Sequence, residues 1–369
     1  MKVMHVIHGF NTGGAETLVK QYVIGINKEE FDIVVLCFEH HDESSYEKEI
    51  ENSGVKIIYI CDYLKFNKRK GIIFKIINYL QRYYYFKKFV RIEKPDIIHS
   101  HLKLNKFVKF AKPASNTDIY HSVHSEPIKF WKNAEDKDFQ AAKWLVNKYQ
   151  MRFIVLHDEM RLEVNHMFNV NNSIVLNNGI DFKKFNQALP KENVRAKLGI
   201  SDDFFVIGHV GRFDKVKNHE FLVDIFLKLH QENSNVFLLL IGDGSEKEKI
   251  QLKLEKYGLS NNYMILSNRS DIPDLLNAMD IFVFPSLHEG LGISLIEAQK
   301  MKLPCFVSEI IPKAAIISNL VTKLPLNDSQ KWVDTILNFK GIKNVELNDS
   351  DWNIEEIIKK LEKIYKHEI

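Results

Sequence analysis

Residues 281–300 have the sequence IFVFPSLHEGLGISLIEAQK, a short apolar run followed by a glycine-containing loop and an amphipathic stretch. The apolar run predicts a buried strand, and the amphipathic stretch predicts a helix. Strand, loop and helix in this order form the unit from which parallel sheets are built. The segment therefore predicts an α/β fold with a ligand at the carboxyl end of the strand, where the next helix presents unpaired N–H groups.

The same alternation of apolar and amphipathic segments recurs on both sides of this stretch. In the first half we predict strands at 2–7, 32–38, 55–60, 96–99, 118–123 and 152–156, and helices near 14–27, 44–53, 69–93 and 137–150. In the second half we predict strands near 204–210, 235–241, 263–266, 281–284 and 304–307, and helices near 218–231, 245–257, 271–279 and 292–300. Two such series in tandem predict two doubly wound, Rossmann-like domains.

We predict domain limits of 1–176 and 177–345, with a loop over 177–190 and a last helical segment, 346–369, that could cover either domain. A chain of 369 residues fits two domains of ordinary size. The net charge of +3 is too small to indicate a nucleic-acid partner. Three cysteines without CxxC spacing indicate reduced thiols. With no signal peptide or membrane span recognisable, we expect a cytoplasmic protein.

Two carboxylates, Glu289 and Glu297, flank the short segment formed by Gly290, Leu291 and Gly292. If the helix begins at Gly292, its N-terminus and the glycine backbone suit a phosphate group. A phosphate lies between two carboxylates only if each carboxylate binds something else, and hydroxyl groups are the natural partners. A diphosphate flanked by two sugars satisfies this arrangement. The alternative is an ordinary loop glutamate followed by a solvated helix glutamate.

The segment GRFDKVKNHE, residues 211–220, follows a predicted strand and contains Arg212 and Lys217. Ligands of open α/β sheets bind at such strand-to-helix connections. The segment has no GxxxxGK[ST] pattern, so the two cations would have to neutralise a phosphate directly, in place of a metal ion. A basic loop on a solvated face is the alternative, and the position after a strand favours the ligand site.

The segment HGFNTGGAE, residues 8–16, joins the first predicted strand to the first predicted helix. Gly13 and Gly14 at this helix start would allow an anion or a sugar to approach the backbone closely. A plain tight turn explains the same pair of glycines, and the residues alone do not decide between the two.

Six segments, in order along the chain, are GGAE, NNGID, GRFDKVKN, IGDG, LSNRSDIPDLLNAMDIFVFPS and EGLGISLIE. This set resembles the family 4 glycosyltransferases, and most of all the bacterial enzymes of exopolysaccharide and capsule assembly. The resemblance covers nearly the whole chain. It implies the GT-B architecture, in which two Rossmann-like domains face a central cleft, and sugar transfer with retention of the anomeric configuration.

The resemblance assigns roles to the carboxy-terminal motifs. Arg212 and Lys217 would grip the diphosphate of the donor. Glu289 would face the donor sugar, and Glu297 would bind the ribose hydroxyls.

The resemblance also implies a second set of contacts to the donor. The backbone near Arg269 and Ser270 would border the base. Gly13 and Gly14 would border the donor phosphate and sugar from the first domain. His124 would lie near the sugar and the acceptor, where it orients or polarises a group.

Histidines and aspartates elsewhere in the first half suggest possible metal ligands. Two pairs of histidines lie on or just after predicted strands, and these are His99, His101, His121 and His124. We favour hydrogen-bonded strand-end histidines over a metal site, because no third ligand cluster or acidic partner follows a metal-binding spacing. Asp136 and Asp138 form a literal DxD in a charged helical stretch, and we interpret them as a solvated face. We therefore expect no metal cofactor.

Residues 65–112 contain fourteen lysines and arginines against Glu93 and Asp96, a net charge of +12. Lys68, Lys75 and Arg82 recur every seven residues, which predicts one stripe on a helix. Basic residues beside a broad apolar surface are typical of a helix that lies on an anionic bilayer. A Rossmann helix whose apolar side is core is the alternative, and the excess charge favours the membrane.

We thus expect a retaining glycosyltransferase of hexosyl or N-acetylhexosaminyl type. The resemblance implies a UDP-sugar donor and a saccharide acceptor, lipid-linked, at the inner face of the cell membrane, with the enzyme as a peripheral protein. Two alternatives stay open: an epimerase of UDP-sugars on a similar fold, and a non-catalytic partner that binds nucleotide sugars.

Overall fold

The computed structural model describes residues 1–10, 14–40, 44–67, 69, 71–131 and 135–369. These residues form two compact units. The first comprises Met1–Gly179 together with Ile354–Ile369, and the second comprises Ile180–Asn353. The chain therefore leaves the first unit once and returns to it for the last helix.

The first unit is built on a parallel sheet of seven strands. Its strands are β1 (Lys2–Ile7), β2 (Asp32–Cys37), β3 (Lys56–Tyr59), β4 (Ile97–His101), β5 (Asp118–Ser122), β6 (Arg152–Val155) and β7 (Ile174–Val175). Its helices are α1 (Gly14–Gly25), α2 (Ser45–Asn52), α3 (Ile72–Glu93), α4 (Asn105–Ala111), α5 (Pro127–Trp131), α6 (Lys137–Tyr149), α7 (Asp158–Phe168) and α15 (Ile354–Tyr365).

The second unit repeats this plan with six strands. Its strands are β8 (Phe205–Val210), β9 (Val236–Ile241), β10 (Tyr263–Leu266), β11 (Ile281–Phe284), β12 (Cys305–Ser308) and β13 (Val321–Leu324). Its helices are α8 (Phe182–Asn186), α9 (Lys191–Leu198), α10 (His219–Glu232), α11 (Lys247–Lys256), α12 (Ile272–Asn277), α13 (Ile293–Lys300) and α14 (Ser329–Leu337).

Both sheets have doubly wound order, as the alternation of segments predicts. The first sheet runs β3-β2-β1-β4-β5-β6-β7, and the second runs β10-β9-β8-β11-β12-β13. In each sheet the order reverses between two central strands, β1 and β4 or β8 and β11. Loops that leave these central strands diverge, and the crevice between them is where doubly wound folds bind ligands. The second unit carries the predicted diphosphate residues at this point.

The last helix is part of the first unit. α15 buries one face, formed by Ile354, Ile357, Ile358, Leu361, Ile364 and Tyr365. These positions recur every three or four residues, the period of a helix with one side against a core. A Cβ atom at Gly25 would lie 2.4 Å from Cδ1 of Ile358, so α1 packs there without room for a side chain.

Several short elements do not follow from the sequence pattern. The prediction of a loop over 177–190 is wrong, because α8 lies inside it. The side chain of Asp181 begins this helix by accepting a hydrogen bond from the N–H of Lys183 at 3.2 Å. The helices α4, α5, α7, α9 and α14 and the strands β7 and β13 are also absent from the prediction. Most are too short to display a clear hydrophobic period.

Candidate functional site

In the second unit, the loops after β8 and β11 are hydrogen-bonded to each other. The N–H of Leu287 donates to the carbonyl of Val216 at 2.7 Å. The side-chain amide of Asn218 donates to the carbonyl of Pro285 at 3.2 Å. Because β8 and β11 are neighbours in the sheet, these bonds bring the GRFDKVKN segment beside the HEGLG segment. The two strongest sequence signals thus form one site.

Lys217 and Glu289 form an ion pair at this junction. Nζ of Lys217 lies 2.6 Å from Oε1 of Glu289, and the two side chains keep only 19% and 9% of their exposure. The ammonium group also lies over the ring of Phe284, 4.8 Å from its centroid. Carboxylate and ring together fix the cation, so Lys217 presents a positioned charge rather than a mobile one.

Arg212 lies in the same loop but reaches solvent. Its side chain is 78% exposed, and its Nε lies 3.3 Å from Oδ2 of Asp214. The other oxygen of Asp214 accepts from the N–H of Lys217 at 3.1 Å. An exposed ion pair of this kind stabilises by only about 0–1 kcal/mol, so the guanidinium can turn toward an anion at little cost.

Two glycines of the IGDG segment pack closely against the backbone of this basic loop. A Cβ atom at Gly242 would lie 2.0 Å from the carbonyl oxygen of Gly211, and one at Gly244 would lie 2.4 Å from that of Phe213. Both glycines have φ near +150°, which L side chains rarely adopt. The N–H of Phe213 donates to the carbonyl of Asp243 at 2.9 Å. The IGDG motif alone does not indicate this role, because it depends on contacts with the neighbouring loop.

The loop that leads into α13 depends on Gly292. This residue has φ +83°, and a Cβ atom there would lie 3.2 Å from the ring of Phe284 and 3.8 Å from Cγ of Glu289. A side chain would therefore strain the backbone and crowd the ring of Phe284, over which the Lys217 ammonium group lies. Leu291 before it is buried and anchors the loop, and Gly290 is half-buried. The predicted glycines surround the carboxylate directly.

Glu297 lies one turn further along α13. The side chain is half-buried, and burial raises the pKa of its carboxyl group to about 7. Among the described residues no cation pairs with it. A carboxyl group kept in such surroundings without a partner is a candidate for binding a ligand hydroxyl.

The predicted base-contacting residues lie after the edge strand β10. Arg269 and Ser270 are both exposed. The guanidinium of Arg269 makes two hydrogen bonds to the carboxylate of Asp271, one of them from Nε to Oδ1 at 2.7 Å. This pair holds Arg269 in place beside Ser270. The strand is separated from β8 by β9, so these residues are not in contact with the Lys217–Glu289 pair.

Three predicted residues belong to the first unit. Gly13 lies outside the described residues, and Gly14 begins α1. His124 follows β5, and its Nε2 lies 3.1 Å from Nδ1 of His101. Its Nδ1 is buried, and within the described part of the chain it has no hydrogen-bond partner. Burial lowers the pKa of His124 to about 4, so the ring is neutral near pH 7.

Three further histidines, His5, His99 and His101, are fully buried beside His124. One nitrogen atom from each lies within 4.8 Å of the others, which makes the group a candidate metal centre among the described residues. Nδ1 of His99 lies 2.6 Å from the Tyr365 hydroxyl, and Nε2 lies 2.7 Å from the Ser122 hydroxyl. The predicted hydrogen bonds of His99 and His101 are therefore confirmed. The expectation that no third ligand joins them is wrong, because His5 comes beside them through the pairing of β1 with β4.

His121 is also hydrogen-bonded as predicted, with Nδ1 lying 2.9 Å from Oγ of Ser100. The interpretation of the aspartate pair is wrong for Asp138, which is 3% exposed. The Asp138 carboxylate accepts from the side-chain amide of Asn105 at 3.0 Å. Asp136 begins α6 and accepts from the N–H of Asp138 at 2.8 Å. Both carboxylates are thus part of the framework of the first unit.

Two of the three predicted membrane-facing residues, Lys75 and Arg82, lie on the helix α3. Lys68 lies outside the described residues, Lys75 is exposed, and Arg82 lies 3.4 Å from a carboxylate oxygen of Glu39. The same helix exposes large apolar side chains over its first half. These are Ile72 (77% exposed), Ile73 (67%), Ile76 (56%), Tyr79 (45%), Leu80 (63%) and Tyr84 (61%).

Two protein-family models match the chain. The model described as "Glycosyltransferase Family 4" matches residues 12–184, and the model described as "Glycosyl transferases group 1" matches residues 190–340. Together they span most of the sequence and correspond to the two units. The chain is a glycosyltransferase whose two halves match these two models. The predicted resemblance is thereby confirmed.

This glycosyltransferase has similar relatives among curated bacterial proteins. It is 28% identical to the putative glycosyltransferase EpsF of Bacillus subtilis, over 91% of this chain and 86% of that protein. It is 26% identical to the UDP-Gal:alpha-D-GlcNAc-diphosphoundecaprenol alpha-1,3-galactosyltransferase of Escherichia coli, over 99% of this chain and 96% of that protein.

The fold of the glycosyltransferase matches solved structures over its whole length. The structure of Anabaena HepE in complex with UDP-glucose matches with a TM-score of 0.78 at 16% identity, and all of both chains is covered. At this identity the match establishes the shared fold, and the predicted GT-B class is confirmed. In the described part of the glycosyltransferase, no helix combines the length and apolarity required to cross a bilayer.

Proposed function

We propose that the glycosyltransferase is a retaining enzyme that transfers a hexosyl or N-acetylhexosaminyl group from a UDP-sugar. The acceptor is a lipid-linked saccharide in cell-surface polysaccharide synthesis. The observation that carries this proposal is the Lys217–Glu289 pair, which joins a positioned cation to a carboxylate at the carboxyl ends of β8 and β11. A nucleoside diphosphate sugar fits this pair, because its diphosphate is an anion for Lys217 and the adjacent sugar has hydroxyl groups that can donate to Glu289.

In this proposal each charged side chain has its own part of the donor to bind. Lys217 and Arg212 neutralise the diphosphate as it leaves, with the N–H groups at the start of α13. Oε1 of Glu289 accepts from Lys217, and Oε2 accepts from a hydroxyl of the sugar. The half-buried carboxyl group of Glu297 binds the ribose hydroxyls.

We also propose that the two cations take the place of a metal ion. Because they lie in one loop, they can meet the charge that develops on the leaving phosphate without a divalent ion. The departing phosphate then assists the acceptor hydroxyl on the same face of the sugar, which gives retention. This mechanism needs no carboxylate nucleophile of the kind that retaining glycosidases use.

The acceptor and the membrane enter the proposal through two observations. The Escherichia coli relative is named for a diphosphoundecaprenol acceptor, a lipid-linked saccharide. In addition, α3 exposes a row of large apolar side chains beside Lys75. Apolar side chains flanked by basic ones are typical of helices that lie in the interface of an anionic bilayer. We propose that α3 contacts the inner face of the membrane.

The direct test is an activity assay with a panel of nucleotide sugars and a diphosphoundecaprenol-linked saccharide as the acceptor. The proposal predicts a new glycosidic bond whose anomeric configuration, measured by NMR, equals that of the donor. A product with inverted configuration would contradict the retaining mechanism. Conversion of the donor sugar without any acceptor would instead favour the epimerase. UDP-sugar binding without turnover on any acceptor would favour a non-catalytic partner.

A further inference from the structure

The buried histidines of the first unit form a continuous hydrogen-bonded chain that begins at Tyr365 of α15. The Tyr365 hydroxyl lies 2.6 Å from Nδ1 of His99 and 3.3 Å from Nε2 of His5. From His5 the chain continues, because its Nδ1 lies 3.1 Å from Nε2 of His101. Nδ1 of His101 lies 3.1 Å from Nε2 of His124. The chain therefore joins the last helix of the protein to His124.

The far end of this chain is open. Nδ1 of His124 is buried and has no hydrogen-bond partner among the residues that the structure describes. A buried polar atom without a hydrogen bond costs on the order of 1–3 kcal/mol. Such an atom at the end of a network indicates that a group outside the described residues, a ligand or an ordered water, completes it.

Each ring in the chain is neutral, which couples its two nitrogen atoms. Burial lowers the pKa of His5 to about 3 and that of His124 to about 4. Burial together with the neighbouring histidines holds the pKa of His101 well below its ordinary value. A neutral imidazole has one N–H and one bare nitrogen atom, so a ring that donates at one end must accept at the other. The direction in which the Tyr365 hydroxyl donates its hydrogen therefore determines the tautomer of every histidine in the hydrogen-bonded chain.

We propose that Tyr365 sets the tautomer of His124, and that His124 thereby presents a bare Nδ1 that accepts from a ligand hydroxyl. The shorter contact, 2.6 Å to His99, assigns the Tyr365 hydrogen to His99. The Tyr365 oxygen then accepts from Nε2–H of His5 across the longer contact. It follows that His101 and His124 also carry their hydrogen on Nε2.

The opposite arrangement reverses every hydrogen bond. Tyr365 would donate to His5, and Nδ1 of His124 would carry the hydrogen. One proton would enter at Nδ1 of His124 and one would leave from Nε2 of His99, so all rings would stay neutral. His124 would then require an acceptor on its ligand. The two arrangements predict different ligand groups at one atom, and Tyr365, His5 and His101 act as positioning residues for that choice.

This inference rests on the proposed function only where it identifies the ligand hydroxyl as that of a sugar. A carbonyl or phosphate oxygen has no hydrogen to donate and would leave Nδ1 unsatisfied. A metal ion held by His5, His99 and His101 is disfavoured, because both nitrogen atoms of His99 already face the hydroxyls of Tyr365 and Ser122. The network as it stands leaves only the His124 atom open.

The test is long-range ¹H–¹⁵N NMR of the histidine side chains in the full chain with ¹⁵N-labelled histidine. The His124 signals are assigned as those that disappear in His124→Gln. In the wild type we expect Nε2 of His124 to be protonated and Nδ1 to be bare. A protonated Nδ1, or ring shifts on addition of Zn²⁺ alone, would overturn the assignment. No substrate is present, so this outcome is independent of the proposed function.

The variant Tyr365→Phe keeps the ring and removes the hydroxyl. Without that hydroxyl neither direction of the hydrogen bonds is preferred, since each leaves Nε2 of His5 and Nδ1 of His124 unsatisfied. We therefore expect the rings of His5, His101 and His124 to populate both tautomers, with ¹⁵N shifts between those of the two forms. The matched control is Tyr120→Phe, since Tyr120 is also buried. Its hydroxyl donates to the Ile364 carbonyl at 3.0 Å and is not part of the hydrogen-bonded chain of histidines. A His124 tautomer unchanged by Tyr365→Phe, or changed equally by Tyr120→Phe, would contradict the role of Tyr365.

Discussion

Nζ of Lys217 lies 2.6 Å from Oε1 of Glu289, although the two residues are 72 positions apart in the sequence. The contact exists because β8 and β11 are neighbours at the point where the order of the second sheet reverses. Both side chains are largely buried, so each charge depends on the other. A pair of this kind can be probed for its contribution to stability and for its contribution to catalysis separately.

The first prediction concerns stability. Lys217→Met leaves the Glu289 carboxylate without a partner, and Glu289→Gln leaves the Lys217 ammonium without one. Removing one member of a buried pair costs about 3–5 kcal/mol, and we expect the lower end because both groups keep some exposure. The double variant should recover most of this loss in urea denaturation. Lys253→Met is the control, because Lys253 pairs with Asp224 at the surface, and it should change stability by less than about 1 kcal/mol.

Turnover should respond differently from stability. The double variant regains its fold but still lacks the charge that meets the leaving diphosphate. We expect turnover to stay at least about 100-fold below the wild type, the usual effect of removing one such group. Arg212→Ala should lower turnover by a similar factor with no loss of stability, since its side chain is exposed. A double variant that recovers both stability and turnover would mean that the pair is structural.

The sequence could predict the elements around this site but not their contacts. Apolar runs predicted the strands β8 and β11. The positions of Arg212, Lys217 and Glu289 in the loops after these strands indicated the site. The role of Gly242 and Gly244 was not recognised, because their restriction comes from the carbonyls of Gly211 and Phe213 on the neighbouring loop. Such close approach between loops leaves no local pattern in the sequence.

The interior of the first unit was harder to predict for a similar reason. The charged residues around Asp138 are typical of a solvated face. In the structure, however, the side-chain amide of Asn105 in α4 donates to the Asp138 carboxylate in the interior. His5 comes beside His99 only through the register of β1 against β4. Tyr365 arrives from the far end of the chain, and the sequence left open which domain its helix covers. Long-range packing of this kind becomes visible only when the sheet is assembled.

The second prediction concerns Glu297, whose pKa is raised by burial to about 7. In the unfolded chain a glutamate has a pKa near 4.3, so the unfolded state releases this proton first as pH rises. The carboxyl group therefore destabilises the free protein increasingly between about pH 4.3 and 7, and by a constant amount above. Glu297→Gln should stabilise the free protein by up to about 3 kcal/mol at pH 8.

The measurement is the unfolding midpoint at pH 8 and at pH 4.3. The stabilising effect of Glu297→Gln should nearly vanish at the lower pH, where the folded state holds the proton and the unfolded state is about half protonated. Glu255→Gln on the exposed side of α11 serves as the control. Equal effects of Glu297→Gln at both pH values would show that the carboxyl group is not desolvated.

The third prediction concerns metal ions. Because Lys217 and Arg212 are expected to neutralise the diphosphate, transfer should continue in excess EDTA at a rate within about twofold of that without chelator. The assay is sugar transfer before and after chelation, followed by addition of Mn²⁺ or Mg²⁺. Complete loss of activity in EDTA with recovery on adding either ion would contradict the two-cation mechanism.

The fourth prediction concerns α3 and lipid surfaces. Changing Ile72, Ile76 and Leu80 together to serine should weaken binding to anionic vesicles at least tenfold, since each buried side chain of this size contributes about 1.5–3 kcal/mol. Lys75→Glu should weaken it further at low salt. The Debye length falls from about 10 Å at 0.1 M to about 3 Å at 1 M, so the charge effect should fade as salt rises.

The measurement is co-sedimentation with anionic and neutral vesicles. Leu162→Ser is a suitable control, because Leu162 of α7 is 66% exposed and lies on a different helix. Wild-type protein that does not sediment with anionic vesicles, or a triple variant that sediments equally well, would contradict the proposed contact of α3 with the membrane.

The most direct test of the account is a calorimetric titration of UDP into the wild type, Lys217→Met and Lys253→Met at one salt concentration. If Lys217 binds the diphosphate, the wild type and Lys253→Met should bind UDP with equal affinity. Lys217→Met should bind it at least tenfold more weakly, a difference of about 1.4 kcal/mol. Uridine, which lacks the diphosphate, should bind all three proteins alike. Equal UDP affinity in all three proteins, or no binding to the wild type, would contradict the diphosphate site.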